Sequence, residues 1–284
     1  MHDRLFGLPS LAGIREEPQI AMAKIDIDNV SVSYFLRKRG DMTKSLERGA
    51  VGAQIIIGQR YLEIAALRSI SLSMKDGDRV GLIGINGSGK STLLKLCAGA
   101  LAAQSGTLTI EGRISPQFAL GSGMRASLTG RQNTELKCLY LGVPQSTIAR
   151  HIEDVKELSG LGGYFELPIE SYSAGMRSRL VMSLLRLVRG EILIMDEWVN
   201  AADPSLSAAI GGLQAQLIER AKILLLASHS RRVLEEWVET VVWLDQGEIR
   251  AQGKVAEVYP EYQDWMKARK AVKPEASAAQ KKSD

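Results

Sequence analysis

The sequence is poor in cysteine and aromatic residues, and it has no long apolar run. Its two cysteines, Cys97 and Cys138, cannot form a disulfide framework and lack metal-ligand spacing. Aromatic residues make up 5% of the chain, which argues against a base-stacking surface for nucleic acid. No run approaches the ~18 apolar residues of a membrane span, and the acidic N-terminal stretch lacks a signal-peptide core. We therefore expect a soluble, intracellular globular protein that binds no nucleic acid.

The net charge of +4 comes from the end of the chain. Six bases and two acids lie between Lys267 and the last residue, so residues 1–266 balance at zero. The segment 267–284 is rich in Ala, Lys and Ser, and we expect it to be a disordered tail. It is interpreted as a solvated linker, with contact to anionic lipid as the alternative.

Hydrophobic patterning divides the rest of the chain into a short extension, residues 1–21, and one domain, residues 22–266. Half-buried strands are predicted at Lys24–Val32 and Leu67–Met74, and residues 37–60 are interpreted as a surface insertion. From about 113 to 188, the apolar residues recur mainly at helical spacing, which predicts a helical segment. Buried strands at Ile192–Met195 and Ile223–Ala227 then enclose a helix from about Pro204 to Arg220. Strands that alternate with helices predict a parallel sheet.

A glycine-rich segment after the apolar run Val80–Ile83 matches G-x-x-x-x-G-K-[ST], the P-loop pattern, at every specified position. Its candidate phosphate-binding residues are Gly84, Asn86, Gly87, Ser88, Gly89, Lys90, Ser91 and Thr92. Such glycines let backbone N–H groups surround a phosphate at a helix N-terminus. Lys90 would reach the β- and γ-phosphates, and Ser91 would hold Mg²⁺. The alternative is a glycine-rich turn without a ligand.

Two acids, Asp196 and Glu197, follow the predicted strand Ile192–Met195. Asp196 would orient the ligands of Mg²⁺, and Glu197 would act as general base on the attacking water. A helix cap or a salt bridge is the alternative role for such a pair. The P-loop upstream favours the catalytic interpretation.

The segment Ser171–Arg179 precedes the acid pair and resembles the L-S-G-G-Q signature of ABC ATPases. Ser173 and Gly175 match that signature, whereas Tyr172, Ala174 and Met176 depart from it. By itself, Ser173 would be an ordinary helix cap.

The resemblance to ABC ATPases implies a P-loop NTPase of the α/β class. Its RecA-like core would hold a mixed sheet, joined to a helical subdomain at about 113–188 and an antiparallel β part. Two copies would form a head-to-tail homodimer around two Mg-ATP, in which Ser173 and Gly175 contact the nucleotide held by the other copy. Asp203 would contact the second copy at the dimer interface.

The same resemblance assigns three further residues. His229 would bridge the γ-phosphate and Glu197, and Tyr34 would stack on adenine. Gln117 would sense Mg²⁺ and a membrane partner. Ordinary structural roles are the alternatives for His229 and Tyr34.

Softer motifs resemble one branch, the ATPases of bacterial polysaccharide exporters, which serve capsule, O-antigen or teichoic-acid export. They are the signature Tyr172–Met176 and the stretches Leu128–Asn133, Thr43–Leu46 and Ala119–Gly123. This branch implies export of a lipid-linked polysaccharide through a separate permease at the cytoplasmic face of the bacterial inner membrane. The permease would insert a helix near Gln117–Asn133.

About twenty residues follow the last predicted globular segment, too few for a glycan-binding domain, so we expect none in this chain. Three other functions stay open. They are an ATPase of a different ABC transporter, an ABC ATPase outside transport and a P-loop kinase.

Overall fold

The structure, a computed structural model, describes residues 22–37, 54–57, 60–116, 121, 123–196 and 204–280. The strands within these ranges are β1 (Lys24–Arg37), β2 (Gln54–Ile57), β3 (Tyr61–Lys75), β4 (Arg79–Ile83), β5 (Ser105–Glu111), β6 (Ile114–Pro116), β7 (Ile192–Asp196), β8 (Ile223–Ala227), β9 (Thr240–Asp245) and β10 (Glu248–Lys254). The α-helices are α1 (Lys90–Cys97), α2 (Gly130–Tyr140), α3 (Gln145–Ser159), α4 (Ala174–Ser183), α5 (Pro204–Arg220), α6 (Arg231–Trp237) and α7 (Val255–Gln280). Short 3-10 turns lie at Gly162–Glu166, Ile169–Ser171 and Leu184–Leu187.

The central sheet has six strands in the order β10-β9-β4-β8-β7-β6. All neighbouring strands are parallel except β10, which pairs antiparallel with β9, so the sheet is mixed. The five residues of β8 are all buried. Continuous apolar runs such as this one fit strands covered on both faces.

Alternate residues of the central strands belong to two different cores. Ile223, Leu225 and Ala227 of β8 pack with α1 and the antiparallel sheet. Leu224 and Leu226 point to the other face and pack with the helices of residues 123–188 and with α7. Side chains that alternate across a strand produce this division.

The second sheet is antiparallel, in the order β2-β3-β1-β5. The alternating burial of Ile25 and Ile27 in β1 follows the half-buried pattern of its sequence. Helix α1 lies between this sheet and the central sheet, where Leu93, Leu94 and Leu96 are fully buried.

We use the term helical subdomain for residues 123–188, whose three helices begin after β6. Its first helix, α2, begins at a capping box in which Thr129 and Gln132 exchange side-chain-to-backbone hydrogen bonds. The buried Asn133 side chain joins this helix to the preceding loop. Its amide donates to three backbone carbonyls and its Oδ1 accepts from the Arg125 N–H at 2.8 Å.

An aromatic cluster fastens the C-terminal helix α7 to the edge of the central sheet. Trp265 of α7 contacts Trp243 of β9 edge to face, with ring centroids 5.3 Å apart. The Arg250 guanidinium of β10 lies 4.5 Å from the Trp243 ring centroid and 5.2 Å from that of Trp265. Cation–π contact of this kind adds to the apolar packing.

Two expectations from the sequence differ from the structure. Residues 267–280 continue α7 although Pro274 lies among them and we expected a disordered tail, because a helix whose first turns are anchored on the sheet is readily extended. The helical subdomain was expected at about 113–188, but Ile114–Pro116 form β6, which pairs with β7 in the central sheet. The surface insertion expected at 37–60 includes β2, which is mostly exposed and pairs with β3.

In the ranges that the structure describes, no helix is both long and apolar enough to cross a bilayer.

Replacing Asn133 by Ala should lower the free energy of unfolding by about 3 kcal/mol, because it leaves several buried backbone groups without partners. Urea denaturation followed by circular dichroism measures this value. Glu135→Ala is the matched control, since Glu135 is exposed on the same helix, and it should change stability by less than about 0.5 kcal/mol. Equal losses in both variants would contradict the role of Asn133.

Candidate functional site

The P-loop connects the buried strand β4 to α1, and its conformation requires glycine. Gly84, Gly87 and Gly89 have φ values of 149°, 80° and 111°, a region that side chains rarely adopt. A Cβ on Gly89 would lie 2.6 Å from the Ala66 carbonyl oxygen. A Cβ on Gly84 would clash with the Leu244 carbonyl oxygen. The loop is therefore held tightly against β3 and β9.

Lys90 begins α1 and folds its side chain back over the loop. Its Nζ donates to the carbonyl oxygens of Gly84 at 2.7 Å and Ile85 at 3.1 Å. The buried Ser88 hydroxyl has no hydrogen-bond partner, although buried polar atoms normally have one. An ammonium, an unpartnered hydroxyl and a helix N-terminus thus surround one small space, which fits a phosphate group.

Ser91 and Asp196 meet across the end of the sheet. The Ser91 Oγ donates to Asp196 Oδ2 at 2.9 Å, because α1 begins beside the C-terminal end of β7. A hydroxyl and a carboxylate supply the oxygen ligands that Mg²⁺ prefers. The residues present therefore fit a magnesium ion beside the phosphate site. Within the part of the chain that the structure describes, no group of three or more His, Cys, Asp or Glu residues could hold a metal ion by itself.

The P-loop forms one wall of a cleft of about 620 Å³. Tyr34 of β1 closes one side, where its hydroxyl lies 3.4 Å from Thr92 Oγ1. Ile64 and Ala66 of β3 extend this side. The other lining residues are Asn86, Gly87, Gly89, Lys90, Ser91, Asp196, Ala227, Ser228 and His229.

His229 reaches the cleft because β8 ends beside β4. The Ser228 N–H donates to the Leu82 carbonyl oxygen at 3.3 Å, which fixes the end of β8 next to the P-loop. His229 is exposed and lines the cleft. Its carbonyl oxygen lies 3.5 Å from the Tyr259 hydroxyl of α7.

Ser173 and Gly175 lie outside this cleft. Ser173 is the N-cap of α4 and accepts from the Met176 N–H at 3.2 Å. A Cβ on Gly175 would meet no atom closer than Ser173 Oγ at 3.9 Å. Packing within the chain therefore does not require glycine at this position. Gly175 leaves an open, exposed surface at the start of α4.

Three predicted site residues, Gln117, Glu197 and Asp203, lie outside the described residues, and their roles stay predictions. The described residues that the structure brings together at the cleft are those of the P-loop, Tyr34, Thr92, Asp196 and His229.

Sequence reasoning missed the support that the β9–β10 turn gives to the P-loop. The Gly247 N–H donates to the Ser88 carbonyl oxygen at 3.0 Å. The Gly247 carbonyl oxygen accepts from the Arg68 N–H at 2.8 Å. The turn Asp245–Gly247 is visible in the sequence, but its contact with the P-loop depends on the pairing of β9 with β4.

A family model described as ABC transporter matches residues 67–200. The teichoic acids export ATP-binding protein TagH of Lactococcus lactis is 36% identical over 201 residues, which are 71% of this chain and 43% of that protein. The O-antigen export system ATP-binding protein RfbB of Klebsiella pneumoniae is 33% identical over 213 residues, 75% of this chain and 85% of that protein. The chain spans less than half the length of the Lactococcus protein and of two further curated relatives.

A solved dimeric ATP-binding cassette, in a post-hydrolysis state with ADP and Pi, matches the structure with a TM-score of 0.59 at 19% identity. The match covers 81% of this chain and 98% of the cassette. The expected fold, a P-loop core with a mixed sheet, a helical part and an antiparallel β part, is confirmed.

Asp196→Asn should raise the Mg²⁺ concentration needed for tight nucleotide binding about 10- to 100-fold, because the carboxylate that orients the metal ligands is lost. Titration of a fluorescent ATP analogue at several Mg²⁺ concentrations measures the change, and binding in EDTA should be unaffected. Asp264→Asn is the matched control, since Asp264 is exposed on α7 and lies outside the cleft lining. The same Mg²⁺ dependence in both variants would remove Asp196 from the metal site.

Proposed function

Because this chain belongs to the ABC transporter family of ATP-binding proteins, we propose that it binds and hydrolyses Mg-ATP to drive a transporter. The observation that carries the proposal is the contact between Ser91 and Asp196 beside the P-loop. This contact supports a metal-binding pair next to a phosphate site, the arrangement that nucleotide hydrolysis requires. Tyr34 lines the same cleft beside Thr92, and its ring would stack on the adenine base.

Each group of residues at the cleft has its own role in the reaction. Backbone N–H groups of the P-loop and the Lys90 ammonium hold the β- and γ-phosphates. Ser91 would hold Mg²⁺ and Asp196 would orient its ligands, and the ion when bound would neutralise charge at the phosphates. Glu197 accepts a proton from the attacking water. His229 positions the γ-phosphate against Glu197.

A second copy of the chain completes each site. Ser173 and Gly175 expose the positive N-terminal end of α4, which attracts an anion. They lie outside the cleft of their own chain. In a head-to-tail homodimer they would contact the γ-phosphate held by the other copy, with Asp203 at the interface. Two ATP molecules would then lie between the subunits.

The names of the relatives extend the proposal to a substrate class. The Lactococcus relative is named for export of teichoic acids and the Klebsiella relative for export of O-antigen. We propose that this chain powers export of a lipid-linked polysaccharide through a separate membrane permease. It would bind the cytoplasmic face of the bacterial inner membrane, and the surface near Gln117–Asn133 would receive a helix of the permease.

Glu197→Gln should reduce ATP hydrolysis about 10²- to 10⁴-fold, the usual contribution of a general base. ATP binding should persist, so that the variant accumulates as an ATP-bound dimer on gel filtration. Steady-state release of phosphate measures the rate. Full turnover by this variant would exclude Glu197 as the base.

Ser173→Arg should leave ATP binding unchanged and abolish hydrolysis, because the large cation blocks the site of the neighbouring copy. Ser173→Ala serves as the control, since it removes only the helix cap and costs about 1 kcal/mol of stability. Binding and hydrolysis are measured on the same preparations. Normal hydrolysis by Ser173→Arg would rule out the composite site.

A further inference from the structure

The hairpin turn between β9 and β10 lies between the P-loop and β3. Asp245 pairs with Glu248, which leaves a two-residue loop between them. The loop residues Gln246 and Gly247 have φ values of 49° and 83°, as a type I′ turn requires. A Cβ on Gly247 would lie 2.9 Å from the Ala66 carbonyl oxygen. The turn is therefore in close contact with the backbone of β3.

This turn fixes the orientation of one peptide group of the P-loop. The Gly247 N–H donates to the Ser88 carbonyl oxygen at 3.0 Å. The peptide that joins Ser88 to Gly89 is trans, and in a trans peptide the carbonyl and the N–H point in opposite directions. The Gly89 N–H is therefore directed away from the turn, and Gly89 belongs to the lining of the cleft. The position of Gly247 thus determines the direction of an N–H group that the P-loop offers to a phosphate.

Arg68 of β3 holds the turn with both its backbone and its side chain. Its N–H donates to the Gly247 carbonyl oxygen at 2.8 Å. Its guanidinium, which is partly buried, donates to the carboxylate of Glu248, the residue that follows the turn. The same guanidinium donates to the side-chain oxygen of Gln54 on β2. Arg68 therefore connects the turn to two strands of the antiparallel sheet.

A β-bulge in β3 directs Arg68 toward the turn. Between Leu67 and Ile70, β3 has one residue more than the facing part of β1. Ser69 in this bulge has a φ of 48°, a backbone conformation that costs free energy for a residue with a side chain. Bulges interrupt the ladder of hydrogen bonds and redirect side chains, and they are common beside functional sites. The bulge therefore leaves the Arg68 N–H available to Gly247.

We propose that Arg68 is a positioning residue for nucleotide binding, because it holds the β9–β10 turn and the turn orients the Gly89 N–H. The inference rests on the proposed function, since it assigns a residue that acts on the same nucleotide site. A P-loop holds the β-phosphate, which ATP and ADP share. Loss of the Arg68 contacts therefore weakens the binding of both nucleotides alike. Such a uniform loss of binding raises KM and leaves kcat unchanged.

The test is Arg68→Met in the full chain, which removes both side-chain contacts and keeps an apolar stem. The Kd values for ATP and ADP should each rise about 10-fold, a loss within the range for residues that share a hydrogen-bond network. KM should rise with them, and kcat should change by less than about two-fold. Titration of fluorescent ATP and ADP analogues measures Kd, and phosphate release measures KM and kcat. Lys24→Met is the matched control, because it removes the same charge and an ion pair with Asp26 from the same sheet.

A double-mutant cycle distinguishes positioning from a general loss of stability. Glu248→Gln should also weaken the binding of ATP and ADP, and the double variant should bind no more weakly than Arg68→Met alone, because both substitutions break the same contact. Arg68→Lys keeps the charge that pairs with Glu248 and should recover most of the affinity. Glu248 is exposed, so Glu248→Gln, with Asp26→Asn as its control, replaces Arg68→Met if the latter fails to fold.

Three results would overturn the inference and leave the proposed function intact. They are equal nucleotide affinities in Arg68→Met and Lys24→Met, additive losses in the double-mutant cycle, and a lower kcat without a higher KM. If the unsubstituted chain binds neither nucleotide, the proposed function fails and the inference fails with it.

Discussion

The hydrogen bonds from the Lys90 ammonium to the carbonyl oxygens of Gly84 and Ile85 close the P-loop on itself, and the rest of the site depends on this closure. The loop accommodates it because its glycines adopt φ values that other residues avoid. The Ala66 carbonyl oxygen packs against Gly89 on one side of the loop, and the Gly247 N–H donates to the Ser88 carbonyl oxygen on the other. Three separate parts of the chain therefore meet at one short turn.

The central sheet gives this turn a rigid support, because its strands are buried on both faces. Its parallel strands bring Asp196, Ser228 and the P-loop to the same edge, since β7, β8 and β4 end there. One face packs on the antiparallel sheet and α1, and the other on the helical subdomain.

Much of this arrangement could be predicted from local sequence, and the remainder depends on contacts between distant residues. The predicted helix from about Pro204 to Arg220 matches α5, and the predicted apolar run Val80–Ile83 lies within β4. Strand β5 was missed because its residues are mostly exposed and only its pairing with β1 defines it. The contact of Gly247 with the P-loop was missed because it depends on the pairing of β9 with β4, which are distant in the sequence. Motifs identify Ser173 and Gly175, which lie outside the cleft of their own chain.

The position of the aromatic cluster determines what the intrinsic fluorescence of this protein reports. Three of its four tryptophans, Trp237, Trp243 and Trp265, lie on α6, β9 and α7, and none of them lines the nucleotide cleft. The Arg250 cation lies against two of these indole rings, where it can influence their emission. The emission of these three tryptophans therefore reports how the C-terminal helix packs on the sheet. In an unfolding curve recorded by fluorescence, their contribution would follow that edge of the sheet and not the cleft.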